Sequence, residues 1–115
     1  IHARLTDMVV VTGFNVYPAE IERVLREHDA VADAAVVGVP DPAKGEVPVA
    51  FVVSADPDAA PGADALRAHL HERLASYKQP RHLWLVDELP LTPVPKVDKV
   101  ALAREARARL GISDP

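Results

Sequence analysis

The stretch MVVVTGFNVYPAEIERVLR, residues 8–26, decides how the fold begins. The β-branched run 9–12 and the extended pair 16–17 predict two short strands. Between them lies a hairpin tip at 13–15, where Gly and Asn tolerate positive φ. Pro18 suits the first position of a helix. The stretch therefore predicts a β-hairpin followed by an amphipathic helix of about three turns.

The predicted helix has one apolar face. Apolar side chains recur at helical spacing within 21–25, whereas Glu22 and Arg26 lie four residues apart on a different face. The Asp and Glu residues of the chain lie mostly on helix faces or in loops, where we expect acidic side chains to be solvated.

Two apolar segments, 31–39 and 47–53, follow this helix and predict paired strands. The segment between them, 40–45, contains two prolines and a glycine and predicts a turn. The first half of the chain therefore supplies a hairpin, a helix and two long strands.

The second half predicts two further helices and one strand. Leucines at helical spacing predict a helix over 66–77, ended by Pro80, and the apolar run 83–86 predicts a short strand. The loop 90–98 contains three prolines and cannot hold regular structure. Asp98 then caps a final helix.

This element order predicts an α+β fold, in which an N-terminal hairpin and a mainly antiparallel sheet are packed by about three helices. The 115 residues, 49% of them hydrophobic, suffice for one domain with one core, so we assign residues 1–115 to a single domain. The chain begins with Ile1 rather than Met, and a strand pattern follows within a few residues. We therefore expect it to be part of a larger protein.

Composition excludes several classes of function. The net charge of -4 argues against non-specific binding of nucleic acid, and the absence of Cys excludes disulfides and thiolate chemistry. No apolar run is long enough to span a membrane, and the five histidines lack metal-ligand spacing. We therefore expect a soluble, cytoplasmic protein that holds no metal by itself.

Two segments stand out as candidates for binding. The hairpin tip 13–15 combines a permissive Gly with an aromatic side chain and an amide, so a ligand could approach the main chain closely. Lys96 lies in a loop braced by prolines, where a compact positive charge suits phosphate or carboxylate oxygens.

Residues 4–22 (RLTDMVVVTGFNVYPAEIE) resemble the signature that opens the C-terminal domain of the adenylate-forming enzymes. This superfamily includes acyl-CoA synthetases, non-ribosomal peptide adenylation domains and luciferases. Residues 90–99 (PLTPVPKVDK) resemble its closing motif, and 77–80 (YKQP) falls in the expected order between them. The chain is most similar to bacterial fatty-acid or aryl acyl-CoA ligases.

The resemblance implies a two-step reaction. Carboxylate and ATP with Mg²⁺ give an acyl-adenylate and pyrophosphate, and the thiol of CoA then displaces AMP to form a thioester. It also implies a larger N-terminal domain that carries the ATP and acyl pockets, without which this chain should be inactive. Two alternatives stay open: an adenylation domain that loads the phosphopantetheine of a carrier protein, and a non-catalytic interaction module that keeps the fold.

For adenylation, the resemblance implies roles for Lys96 and Arg4. Lys96 matches the lysine that reaches the carboxylate and the α-phosphate, and Arg4 matches an arginine near the nucleotide. The chain departs from the family pattern at two positions: Thr6 stands at the hinge in place of Asp or Lys, and Pro95 stands where Gly usually precedes the lysine.

For thioester formation, the resemblance implies a second set of residues. Gly13, Phe14 and Asn15 match the tip that lines the pantetheine tunnel, and Tyr77 and Arg81 match the region that meets the CoA nucleotide. The hairpin and Lys96 would be used in alternation as the domain rotates about its hinge.

Overall fold

The computed structural model describes residues 8–56, 58, 62–91, 93 and 97–112. Strands β1 (Val9–Val11) and β2 (Phe14–Val16) form the predicted hairpin. Thr12 and Gly13 join them with φ values of 51° and 84°, as in a type I′ turn, whose twist matches that of antiparallel strands.

The turn of the hairpin lies at residues 12–13, whereas the sequence predicted a tip at 13–15. Phe14 and Asn15 pair with Val11 and Val10 inside the ladder, so the turn consists of Thr12 and Gly13 alone. Predicting a three-residue tip was wrong because it assumed that Thr, a β-branched residue, stays in the strand. Thr12 instead adopts a positive φ, which is strained for a β-branched side chain.

Strand β4 (Gly45–Ser54) is central to the sheet. It pairs antiparallel with β3 (Val31–Asp41) along its length and parallel with β5 (His82–Val86) on its other edge. The hairpin joins that same edge through a single antiparallel pair, Val11 with Gly45. The predicted antiparallel sheet is therefore confirmed, with β5 as its parallel member.

The described residues form three α-helices, α1 (Pro18–Arg26), α2 (Ala63–Arg73) and α3 (Lys99–Leu110). The second helix ends at Arg73, well before Pro80, and a separate 3-10 turn over Ser76–Lys78 carries Tyr77. The predicted cap of the last helix is confirmed, because the Asp98 carboxylate accepts a hydrogen bond of 3.0 Å from the Ala101 amide.

The sheet separates two apolar clusters. On one face α1 and α2 bury Ile21, Leu25, Leu66 and Leu70 against alternate residues of β3 and β4, and on the other face α3 buries Leu102 and Ala106. This is the predicted α+β fold. It leaves the hairpin at one edge of the sheet and the start of α3 near the opposite edge strand, β3.

Gly38 on β3 is needed because Val9 of the hairpin packs onto it. A Cβ atom added at Gly38 would lie 2.8 Å from Val9 Cγ2, which is closer than packed carbon atoms approach. We expect Gly38→Ala to lower the free energy of unfolding by about 1–3 kcal/mol in urea denaturation, and by less in a Val9→Ala background. Gly62→Ala is the control, since open space surrounds that position. Equal losses in both glycine variants would contradict the close contact.

Candidate functional site

A groove of about 370 Å³ lies beside the hairpin. Its polar and aromatic lining includes Thr12, Phe14, Lys44, Tyr77, Gln79 and Arg81. Three residues that the sequence singled out, Phe14, Tyr77 and Arg81, are therefore brought together. Gly13 and Asn15 are exposed on the same hairpin but do not line the groove.

The aromatic wall of the groove is formed by Phe14 and Tyr77. Their ring centroids are 4.8 Å apart with an interplanar angle of 31°. The residues remain 55% and 37% exposed, respectively, although aromatic rings are costly to leave in water. The pair therefore offers an exposed surface on which a planar ring can stack.

The turn that carries Tyr77 is held from both sides. The Gln79 amide donates hydrogen bonds of 3.1 Å to the carbonyls of Leu70 and Leu74, which closes the end of α2. Lys78 Nζ lies 2.9 Å from a carboxylate oxygen of Glu20 on α1. The hydrogen bond to Glu20 raises the pKa of Lys78. These contacts fix Tyr77 relative to the hairpin.

Asp41 organises the cationic wall. Its carboxylate accepts hydrogen bonds from the backbone amides of Ala43 and Lys44, at 3.1 and 2.8 Å, and lies 3.6 Å from the Arg81 guanidinium. The Arg81 backbone amide also donates to the Pro48 carbonyl at 2.7 Å. One carboxylate thus contacts the side chain of Arg81 and the backbone of Lys44, two residues that line the groove.

The hairpin is attached to the sheet at few points. Besides the Val11–Gly45 pair, the Thr12 amide donates to the Lys44 carbonyl at 2.8 Å. The Val10 amide donates to the Glu46 carboxylate at 3.0 Å. Sequence reasoning missed Asp41, Lys44 and Glu46 as parts of this site. Their signals in the sequence were the turn at 40–45 and the place of Asp41 and Glu46 in the order of segments expected from the family resemblance.

Two predicted site residues, Arg4 and Lys96, lie outside the described residues, as do Thr6 and Pro95. The base of the loop that contains Lys96 is described. There the Asp98 amide donates to the Pro90 carbonyl at 2.8 Å, and Leu91 bridges Val97. The roles of Arg4 and Lys96 stay predictions.

His82 follows Arg81 and stacks on Trp84, with ring centroids 5.5 Å apart. Burial lowers the pKa of His82, and the charges of Arg81 and Arg67 lower it further. When the pKa of a His is lower in the folded state than in the unfolded chain, the fold is most stable at a pH above the unfolded-state pKa. That stability is lost as the pH falls, because the unfolded chain takes up the proton more readily. We therefore expect that lowering the pH from 7.5 to 5 decreases the denaturation midpoint of the wild-type domain by more than that of His82→Gln. Parallel pH profiles of the two proteins would contradict this.

Two kinds of site are not seen in the described part of the chain. No group of three or more His, Asp or Glu side chains there could hold a metal ion, so these residues offer no ligand set for Mg²⁺. Among the same residues, no helix is long and apolar enough to cross a membrane.

Residues 20–96, more than half of the chain, match the AMP-binding enzyme C-terminal domain. The chain belongs to this family. The matched range contains the groove residues Lys44, Tyr77 and Arg81 and ends at Lys96. As an AMP-binding C-terminal domain, the chain has the predicted fold, and the predicted family is confirmed.

Known proteins support the assignment. One relative is a propanoyl:CoA ligase of Rhodococcus jostii (strain RHA1), whose propanoyl group carries a 7a-methyl-1,5-dioxo-octahydro-1H-inden-4-yl substituent. It is 48% identical over 104 residues, which cover 90% of this chain and 20% of the relative. The solved fatty acyl CoA synthetase of Mycobacterium tuberculosis superposes with a TM-score of 0.82 at 35% identity, over 92% of this chain and 21% of that one. An amide bond synthetase from Marinactinospora thermotolerans has a TM-score of 0.82 at 43% identity, over 86% of this chain and 20% of that one. The AMP-binding C-terminal domain thus spans about a fifth of the length of its curated relatives.

Proposed function

We propose that this chain is the C-terminal domain of an ATP-dependent fatty-acid-CoA ligase, and that it works with a larger N-terminal domain of the same protein. The observation that carries the proposal is the groove beside the hairpin, which is lined by two exposed rings, Phe14 and Tyr77, and by two basic residues, Lys44 and Arg81. CoA is a ligand of that chemistry, since it joins an adenine ring to three phosphate groups. The match to acyl-CoA ligases supports the same conclusion.

The proposed reaction has two displacement steps. A carboxylate oxygen of the fatty acid attacks the α-phosphorus of ATP, and pyrophosphate leaves. The thiol sulfur of CoA then attacks the acyl carbonyl carbon and loses its proton, and AMP leaves as the acyl–oxygen bond breaks. Mg²⁺ would neutralise the phosphate charge of ATP, and the residues that hold it are proposed to lie on the N-terminal domain.

Lys96 is the proposed catalytic residue of the first step. Negative charge accumulates around the five-coordinate phosphorus, and an ammonium group held there in a site closed to water stabilises it. Arg4 is proposed to bind the nucleotide, because its planar, permanently charged side chain suits ribose and phosphate oxygens. The α-phosphate and the carboxylate would thus be contacted by Lys96 of the closing motif, residues 90–99.

The hairpin and its groove are proposed to serve the second step. Phe14 and Tyr77 offer a stacking surface for the adenine of CoA. Arg81 and Lys44 line the same groove and would pair with the phosphates of CoA. Gly13 and Asn15, at the exposed end of the hairpin, would line the path of the pantetheine thiol. The glycine leaves this path unobstructed.

The lining of the groove supports free CoA over a carrier protein as the proposed acceptor. A carrier protein presents phosphopantetheine without the adenine nucleotide, so it would leave the ring pair and Arg81 without a ligand. We therefore propose CoA as the acceptor, with the carrier protein as the alternative. Since the reaction consumes ATP and CoA, we also propose that the protein works in the cytoplasm.

The test uses the full-length protein that carries this domain and measures thioester formation with CoA and with dephospho-CoA. We expect Arg81→Ala to raise KM for CoA by about tenfold, because one charge-assisted contact to a phosphate is lost. If Arg81 binds the 3′-phosphate, the variant also loses the preference for CoA over dephospho-CoA. Arg23→Ala is the control, since that side chain pairs with Glu27 on the exposed face of α1.

Two other acceptors are tested in the same assay. Faster transfer to a phosphopantetheinyl carrier protein than to CoA would contradict CoA as the acceptor, and so would faster transfer to a free amine. An unchanged KM for CoA in Arg81→Ala would contradict the proposed use of the groove.

A further inference from the structure

Glu22 and Lys99 form a closed hydrogen-bonded ring at the outer edge of β3. Lys99 Nζ lies 2.6 Å from Glu22 Oε2 and donates to the Val36 carbonyl at 2.9 Å. The same oxygen of Glu22 accepts from the Val36 amide at 2.8 Å. The Glu22 side chain is only 11% exposed, so it is an exception to the expectation that acidic side chains on helix faces are solvated.

The ring satisfies an edge that would otherwise be open. Val36 lies on β3, whose other edge pairs with β4, and among the described residues no strand pairs with its amide and carbonyl at the outer edge. Glu22 from α1 and Lys99 from α3 replace that strand. Unpaired edge groups invite pairing with another chain, and charged side chains prevent it.

Stability alone is a weak reason for such a pair. Removing two charges from water offsets much of their attraction. Lys99 is moreover the first residue of α3, where the positive end of the helix dipole disfavours a cation. The more informative observation is what the ring fixes in place.

The ring anchors the point where the proline-rich loop meets the domain. Lys99 directly follows Asp98, whose amide is bonded to the Pro90 carbonyl and whose carboxylate caps α3. Lys96 lies three residues before Lys99 in the sequence. The ring thus ties the segment that follows Lys96 to β3 and to α1.

We propose that Glu22 and Lys99 are positioning residues for adenylation, and that they act by holding the base of the loop that carries Lys96. The inference rests on the proposed function, in which Lys96 serves the first step. The hairpin used in the second step has separate attachments, at Lys44, Gly45 and Glu46. Loss of the ring should therefore impair one half-reaction and spare the other.

The experiment compares the two half-reactions in the full-length protein. Adenylation is measured as carboxylate-dependent exchange of pyrophosphate into ATP, and thioester formation is measured from purified acyl-adenylate and CoA. We expect Lys99→Met to lower kcat for exchange at least tenfold while KM for ATP changes less than threefold. Thioester formation should stay within twofold of wild type, and Lys99→Arg should restore most of the exchange rate.

A second variant separates positioning from loss of folding. Glu22→Leu combined with Lys99→Met replaces a partly buried ion pair with apolar side chains, which removes both charges together, and the remaining cost is the loss of the two hydrogen bonds to Val36. We expect this double variant to stay folded by circular dichroism and still to be slow in exchange. Leu70→Ala, which removes a core side chain of α2, is the control for destabilisation and should affect both half-reactions alike.

The outcomes distinguish this inference from the proposed function. Normal exchange in the folded double variant, or equal losses in both half-reactions, would overturn the positioning role. The proposed function would still stand if Lys96→Ala is inactive in exchange. Normal exchange in Lys96→Ala would refute the role of Lys96 in the proposed function, and the positioning role with it.

Discussion

Replacing Lys96 with alanine in the full-length protein is expected to lower the rate of carboxylate-dependent ATP–pyrophosphate exchange by about 10²–10³-fold, the usual cost of removing one group that stabilises transition-state charge. In the proposed mechanism the ammonium acts mainly on the transition state, so kcat should fall far more than KM for ATP rises. Thioester formation from purified acyl-adenylate should continue, because that step is proposed to use the hairpin face.

The matched control for this variant is Arg104→Ala, which removes an exposed cation from α3. It should leave both half-reactions near wild type, so that a general loss of positive charge is excluded as the cause. If Lys96→Ala keeps the wild-type exchange rate, the domain is better described as a non-catalytic interaction module. The same result would be expected if Pro95, where Gly usually stands, prevents Lys96 from reaching the reacting phosphorus.

Replacing Gly13 with leucine is expected to slow thioester formation by about 100-fold and to leave pyrophosphate exchange within twofold of wild type. Open space surrounds a Cβ atom at Gly13 within this domain, so the side chain meets nothing here and projects outward from the hairpin. In the proposed second step that space is the path of the thiol. A misplacement of about 1 Å between reacting groups can cost that much.

Gly111→Leu provides the control for backbone strain. Gly111 also has a positive φ, 71° against 84° at Gly13, and open space around its Cβ position. Both variants should therefore lose a similar free energy of unfolding, about 1–2 kcal/mol. Only the Gly13 variant should slow the second half-reaction. Equal slowing in both would indicate that strain, rather than obstruction, is the cause.

Much of the fold could be predicted from local sequence signals. Pro18 and Asp98 mark the starts of α1 and α3, as expected from capping chemistry. The Val-rich segments pair as β3 and β4 because their lengths and the turn between them agree. The hairpin turn was misplaced because Thr12 adopts a conformation that β-branched residues rarely take.

The parts that sequence could not predict all depend on tertiary packing. Asp41 and Arg81 are forty residues apart in the sequence and meet only because β3, β4 and β5 lie side by side. Glu22 looked like a solvated residue on a helix, and only the unpaired edge of β3 explains its burial. Family resemblance found Tyr77 and Arg81, but Lys44 becomes part of the site only when the turn at its position folds beside the hairpin.

Strand β4 pairs with β1, β3 and β5, so the hairpin, although it meets only the first residue of β4, is joined to the strand that links the whole sheet. A torque applied at the hairpin is therefore transmitted to β4, and through β4 to the strands that pair with it. In the proposed mechanism, the described part of the domain would therefore turn as one body. Each face would then arrive at the reacting atoms already in its final shape.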